Sequence, residues 1–150
     1  MSNRLKISAK TEYACIAMLE LSSRYGSGEP VRIRKIAERH DVPPRFLVQI
    51  LLQLKGAGLV ASTRGAAGGY HLLKPPENVS LGEVMDVIEG SSNGNGEVKA
   101  SSASPDSPAV KVLMKAWHDV AAVEREMLNG ITFAELLDRA REQDEHMYYI

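Results

Sequence analysis

The centre of the chain, residues 33–74, reads IRKIAERHDVPPRFLVQILLQLKGAGLVASTRGAAGGYHLLK. Apolar residues at helical spacing predict a short amphipathic helix over residues 33–40, and Asp41-Val42 then form a tight turn. A second helix is predicted to begin at Pro44, because the N–H that proline lacks would have no partner in the first helical turn. Two helices joined by a turn of a few residues are typical of a helix-turn-helix.

The second helix of this pair is predicted to run to about Lys55, where Gly56 and Gly58 end it. At about 100° per residue, its apolar residues form one stripe and its remaining residues face the other way. The buried stripe is predicted to contain Phe46, Leu47, Ile50, Leu51 and Leu54, and the opposite face Arg45, Val48, Gln49, Leu52 and Lys55. Arginine and glutamine can form paired hydrogen bonds with a base edge in the major groove. Arg45, Gln49 and Lys55 are therefore predicted to contact DNA, whereas Val48 and Leu52 depart from the polar pattern usual on such a face.

A β-hairpin is predicted after this helix, with strands over residues 59–64 and 70–74 and a loop that contains three glycines. Glycine permits positive φ where the chain reverses, and it lets the loop backbone lie close to another surface. A helix-turn-helix followed by a basic hairpin predicts a winged helix. The wing residues predicted to contact DNA are Arg64, Gly65, Gly68, Gly69 and Tyr70.

Two further helices complete the predicted DNA-binding head, which spans residues 1–90. The first covers residues 9–23, is capped by Ser8, and is apolar on most faces, so it is expected to form the buried centre. Cys15 lies within that apolar run and is predicted to be a small core residue rather than a reactive thiol. The second covers residues 81–89 and begins with the capping box Ser80 and Glu83.

The rest of the chain is predicted to form a flexible loop over residues 91–108, a long helix over 109–129, and a shorter helix ending near residue 142. The long helix carries an apolar stripe that a head of this size cannot cover completely, so it is predicted to be a dimer seam. The stripe consists of Val110, Leu113, Met114, Trp117, Val120, Ala121, Met127 and Leu128, with Leu113, Trp117 and Val120 at its centre. The alternative is a helix that packs only on its own head. The predicted fold class is thus mainly α, a winged helix-turn-helix head with a β-hairpin wing and a long C-terminal dimerisation helix.

Charge is distributed unevenly although the net formal charge is only −1. Residues 1–75 hold 12 lysines and arginines against 5 acidic residues, whereas residues 76–150 hold 6 against 14. A basic half predicts an anionic partner, most commonly nucleic acid. The single cysteine cannot form an internal disulfide, and the sequence has neither a membrane-spanning apolar run nor a secretory signal, which predicts a cytoplasmic protein with no membrane partner.

An enzyme is not expected, because the sequence lacks a catalytic triad order and a phosphate-binding P-loop. Residues 65–69 are glycine-rich, but the lysine and helix start that would make them a P-loop are missing. A winged helix that serves only as a protein–protein interaction module is an alternative, against which the outward Gln49 and the basic Arg64 argue.

Three segments resemble the Rrf2 family of bacterial winged-helix transcription regulators. They are LKISAK at residues 5–10 with the helix that follows, RGAAGGY at 64–70, and ITFAEL at 131–136. The resemblance covers nearly the whole chain, and the wing segment is its most specific part. It implies a homodimer with paired long helices, bound to a pseudo-palindromic operator in double-stranded DNA.

Well-known members of this family hold an iron–sulfur cluster with three cysteines in the loop before the long helix. Residues 91–108 contain no cysteine here, so no cofactor or metal site is expected, and Glu12, where some members place a carboxylate ligand, is expected to be solvated. The four histidines, His40, His71, His118 and His146, show no ligand spacing. The alternative is an iron–sulfur or redox-sensing regulator of the same family that uses non-cysteine ligands.

The two ends of the chain resemble a cluster-free branch of the family that represses genes of cysteine metabolism. Residues 5–10 and the C-terminal residues 147–150, MYYI, carry this likeness. It implies a repressor of sulfur and cysteine metabolism whose partner is cysteine synthase, with Tyr148, Tyr149 and Ile150 as the segment that enters the enzyme. Alternatively, the two tyrosines pack against the protein's own dimer.

Overall fold

A computed structural model describes residues 7–90 and 106–148, with side chains up to residue 144. The helices are α1 (Ala9–Ser23), α2 (Ile33–His40), α3 (Pro44–Gly56), α4 (Leu81–Met85), α5 (Pro108–Gly130) and α6 (Phe133–Tyr148), and the strands are β1 (Val60–Thr63) and β2 (Gly69–Leu72). The predicted winged helix within a mainly α fold is confirmed. None of the described helices is long and apolar enough to cross a membrane. The loop predicted over residues 91–108 lies mostly outside the described residues.

The helix-turn-helix is formed by α2 and α3 packed against α1. Leu47, Ile50, Leu51 and Leu54 of α3 are completely buried against a core that includes Ala17 and Met18 of α1. Phe46, predicted to belong to this stripe, is 37% exposed, and its ring lies 5.7 Å from that of Tyr13. That prediction was wrong because Phe46 is in the first turn of α3, where it packs beside α1 at the rim of the core.

A buried carboxylate joins α1 to the end of α2. Glu20 is 5% exposed; its carboxylate accepts a hydrogen bond from Arg39 Nη1 at 2.8 Å and lies 2.9 Å from His40 Nε2. Asp41 adopts the left-handed conformation, with φ 57°, and ends α2. The turn before α3 is therefore set both by backbone geometry and by a buried ion pair.

The wing is an antiparallel pair in which Val60 lies opposite Leu72 and Thr63 opposite Gly69. Both strands are shorter than predicted: β1 excludes Leu59 and Arg64, and β2 runs from Gly69 to Leu72. One further backbone hydrogen bond, from Leu73 N–H to Leu59 O at 3.0 Å, follows the last strand pair. Val31 and Tyr70 exchange two backbone hydrogen bonds of 2.8 Å, which attach the segment before α2 to the wing. A Cβ atom on Gly69 would lie 2.5 Å from the Val31 carbonyl oxygen, so this position requires glycine.

The C-terminal helices dock on the head through α4. The serine half of the predicted capping box is confirmed, since Glu83 N–H donates to Ser80 Oγ at 3.1 Å, whereas the Glu83 carboxylate accepts from Lys74 Nζ at 2.8 Å. The helix α4 ends at Met85 and continues as a wider turn over Asp86–Gly90. Leu81 N–H donates to Ile131 O at 2.9 Å, and Phe133, at the start of α6, is completely buried in the core of the head.

The last helix is longer than predicted and reaches Tyr148 instead of ending near residue 142. Side-chain pairs one turn apart, Arg139 with Glu135 and Arg141 with Asp138, stabilise its exposed face. Tyr148 therefore belongs to a helix rather than to an extended tail. Tyr149 and Ile150 lie outside the described residues.

Candidate nucleic-acid interface

The outward face of α3 presents the side chains that the sequence predicted. Arg45, Gln49 and Lys55 are exposed, together with the apolar side chains of Val48 and Leu52. The guanidinium carbon of Arg45 lies 5.2 Å from the centre of the Phe46 ring, a cation–π contact that positions the arginine at the start of the helix. A polar and basic helix face with a completely buried opposite face is suited to entering the major groove.

Lys55 connects the end of α3 to the wing. Its Nζ donates to Ser62 Oγ in β1 at 2.8 Å, while the lysine itself stays exposed. This contact brings a positive charge between α3 and the hairpin, where a phosphate backbone that passes from one to the other would lie.

The residues predicted to contact DNA from the wing differ in exposure and in the contacts they make within the loop. Arg64 and Gly65 are exposed and Gly65 has φ 103°, whereas Tyr70 is half-buried. The Gly68 N–H donates to Gly65 O at 2.9 Å, so it is engaged within the loop, and DNA contact by this residue stays a prediction. A Cβ atom on Gly68 would collide with the Thr63 carbonyl oxygen. Gly68 and Gly69 thus shape the wing, and Arg64 and Gly65 form its accessible tip.

The basic surface of α2 extends the site beyond the residues that the sequence predicted. Arg32 precedes α2, and together with Ile33 and the wing loop it lines a depression of about 400 Å³. Arg34 and Lys35 are exposed on the first turn of the same helix. The positive charge of residues 1–75 is the sequence signal that could have pointed to these basic residues. Their position beside the wing could not be predicted, because it depends on the tertiary contact between Val31 and Tyr70.

The long helix α5 has two apolar faces rather than the single predicted stripe. Val110, Met114 and Leu128 are partly buried on the side that faces the head, where Arg125 also pairs with Asp86 at 2.7 Å. The other face is left open, and we call it the α5 ridge. The ridge consists of Val112, Leu113, Trp117, Val120, Val123 and Met127, which are 48% to 70% exposed.

A winged helix with a basic recognition helix and a basic wing defines a DNA-binding transcription regulator. The chain belongs to the Rrf2 family, described as iron-dependent transcriptional regulators, whose sequence profile matches residues 7–139. The family is one of non-enzymatic regulators, in agreement with the prediction that the protein is not an enzyme.

Individual relatives match over most of the chain. The HTH-type transcriptional regulator CymR of Bacillus subtilis is 31% identical over 147 residues, which are 97% of this chain and 100% of that protein. The structure of CymR, the global cysteine regulator of B. subtilis, has a TM-score of 0.74 at 30% identity and covers 90% of this chain and 98% of that chain. The structure of T. potens IscR has a TM-score of 0.75 at 34% identity, and the match covers 93% of this chain and 91% of that chain.

The side chains of this protein do not fit the iron–sulfur cluster that the family resemblance implies. Such clusters are held mainly by several cysteine thiolates, and the sequence contains one cysteine. That residue, Cys15, packs against the core, and burial, reinforced by the negative charges of Glu89 and Glu12, raises the pKa of its thiol to about 11. Among the described residues, no group of three or more His, Cys, Asp or Glu side chains is arranged to hold a metal ion. A protonated, half-buried thiol is a poor ligand and a poor nucleophile near neutral pH.

Proposed function

We propose that this protein is a homodimeric, sequence-specific transcriptional repressor that binds a pseudo-palindromic operator in the cytoplasm. The observation that carries the proposal is the division of α3, in which Leu47, Ile50, Leu51 and Leu54 are completely buried while Arg45 and Gln49 are exposed. This division leaves the recognition helix anchored on one side and free to enter the major groove on the other.

The α5 ridge supports a dimer. Six large apolar side chains at least 48% exposed along one helix face would be a costly solvent-exposed patch on a monomer. Antiparallel or crossed pairing of two α5 helices about a twofold axis would cover the ridge. It would also direct each of the two DNA-binding heads toward one half-site of the operator. Dimerisation through Leu113, Trp117 and Val120 is the simplest arrangement that satisfies both requirements.

The first prediction tests base reading. Gln49→Ala should weaken binding to the selected operator by about 1 to 3 kcal/mol, because the Gln49 amide can bond N6 and N7 of adenine together. Binding to random DNA should change little. The operator is first selected from a random oligonucleotide library, and fluorescence anisotropy then measures both affinities. Gln143→Ala, which removes an exposed glutamine from α6, is the matched control.

Arg64→Ala is measured in the same assay and should behave differently from Gln49→Ala. A wing arginine that contacts phosphates should contribute to specific and random DNA alike, and its loss should flatten the dependence of affinity on salt. If Arg64 instead enters a narrow minor groove, its loss should be larger on the operator. Equal losses on both DNAs for Gln49→Ala would exclude base reading by this residue. Failure of the wild type to enrich any sequence would overturn the proposed function itself.

We further propose that the protein acts without an iron–sulfur cluster. Protein purified without oxygen should be colourless and contain iron far below one atom per chain, since a single protonated thiol cannot hold a cluster. Operator affinity should be the same before and after treatment with a chelator, and the same in Cys15→Ala. A coloured dimer with stoichiometric iron and chelator-sensitive DNA binding would contradict this proposal.

The likeness to CymR, named a global cysteine regulator, supports a role in sulfur and cysteine metabolism for this protein. Cysteine synthase is the proposed partner, bound through the C-terminal residues Tyr148, Tyr149 and Ile150. Removing residues 148–150 should abolish binding to the enzyme in a pull-down, while dimer mass and operator affinity stay unchanged. Arg141→Ala, an exposed change in the same helix, should retain the enzyme. A truncated protein that unfolds or becomes monomeric would instead assign the tail to the dimer.

A further inference from the structure

Two apolar side chains stand among the polar residues of the recognition helix. Val48 is 45% exposed and Leu52 is 55% exposed, and they flank Gln49 on the outward face of α3. The proposed contacts of Arg45, Gln49 and Lys55 with DNA give these two residues no role.

Packing within the protomer does not account for them. The buried face of α3 is already complete, with Leu47, Ile50, Leu51 and Leu54 all at 0% exposure. The α5 ridge is the face proposed to meet a second copy of the chain, and it lies on a different element. Val48 and Leu52 therefore gain burial only when α3 itself is covered by a ligand.

The surroundings select the kind of ligand. Arg45 precedes the pair by one turn, Lys55 follows it by one turn, and Arg64 stands at the wing tip, so the covering surface is anionic at its edges. Between those charges it must offer an amide-binding edge to Gln49 and apolar groups to its neighbours. The DNA major groove combines these features, because adenine presents N6 and N7 and thymine presents a C5 methyl group there.

We infer that Val48 and Leu52 read thymine C5 methyl groups in the operator, an inference that rests on the proposed DNA-binding function. The two residues are one helical turn apart, about 6 Å along the axis. That distance is close to two base-pair steps of about 3.4 Å each. They therefore contact methyl groups on either side of the base that Gln49 reads, and the preferred half-site contains an adenine with thymines nearby.

Deoxyuridine scanning tests the inference, because uracil pairs as thymine does and lacks only the methyl group. Each thymine of the selected operator is replaced in turn, in both half-sites, and affinity is measured by fluorescence anisotropy. The wild type should lose about fourfold per removed methyl at one or two positions per half-site. At the position read by Val48, Val48→Ala should bind thymine and deoxyuridine operators equally, and Leu52→Ala should do the same at its own position.

Leu73→Ala is the control, since it removes a leucine that is 51% exposed but lies after the wing, outside α3. It should keep the full sensitivity of the wild type to deoxyuridine. Thermal unfolding should show all three variants folded, because each altered side chain is exposed.

Several outcomes would overturn the inference while leaving DNA binding intact. One is an operator whose affinity is unchanged by deoxyuridine at every position. Another is a loss on deoxyuridine that persists undiminished in Val48→Ala and Leu52→Ala, which would indicate a methyl effect on DNA shape. Variants that bind every operator as the wild type does would assign the apolar pair to a protein partner. A wild type that prefers no sequence would refute the proposed function instead.

Discussion

Replacing Trp117 by alanine is expected to convert the proposed dimer to a monomer and to weaken operator binding by about 100- to 10,000-fold. Trp117 is 51% exposed in the protomer and lies between Leu113 and Val120 on the α5 ridge. A buried tryptophan replaced by alanine costs about 3 to 5 kcal/mol, and twofold symmetry applies the change twice. A monomer then contacts one half-site and loses the effective concentration that the linked second head provides.

Light scattering after size-exclusion chromatography, at a few micromolar protein, measures the mass, and anisotropy measures the operator affinity. His118→Ala is the matched control, because the neighbouring His118 is exposed but does not belong to the ridge. It should remain dimeric with unchanged affinity. A Trp117→Ala protein that stays dimeric and binds the operator normally would place the dimer interface elsewhere and leave the ridge without its proposed partner.

Phe133→Ala is expected to lower the free energy of unfolding by about 3 to 5 kcal/mol, because it empties a large volume inside the core of the head. Phe133 is at 0% exposure and shares a core with residues of α1 and α4. Its backbone N–H also donates to Val79 O at 3.0 Å, so the residue is held where the emptied cavity cannot collapse easily. The melting temperature should fall by roughly 10 °C.

Urea unfolding followed by circular dichroism measures the loss of unfolding free energy. All variants are compared at one protein concentration, because the stability of a dimer depends on concentration. Phe133→Leu retains most of the buried volume and should cost much less. Similar, small losses for both variants would mean that α6 contributes little to the core of the head. A large loss in both would indicate that the ring shape itself is required.

Local signals explain why much of the head was predictable from sequence. The bounds of α1 and α2 match the prediction because a capping serine and a turn at Asp41 act within a few residues. The exposure of Arg45 and Gln49 follows from the period of α3, whose apolar residues can be buried on one side only. The outward face of α3 therefore follows from helical period alone.

Other features depend on which surfaces meet. Phe46 has the period of a core residue but lies at the rim, since the extent of α1 decides what is covered. Arg32 enters the candidate site because the segment before α2 pairs with the wing. On α5, one apparent stripe divides into a face that packs on α4 and the exposed α5 ridge.

The sequence alone determined the helix-turn-helix, the wing, the basic half of the chain and the lack of cysteine ligands, because composition, caps, prolines and helical period are all local properties. Only the tertiary structure decided that Phe133 completes the core of the head, that Gly69 admits the Val31 carbonyl, and that the head of the same chain leaves the α5 ridge uncovered. The physical reason is that hydrophobicity specifies whether a side chain gains by burial, whereas the surface that buries it is set by distant parts of the chain.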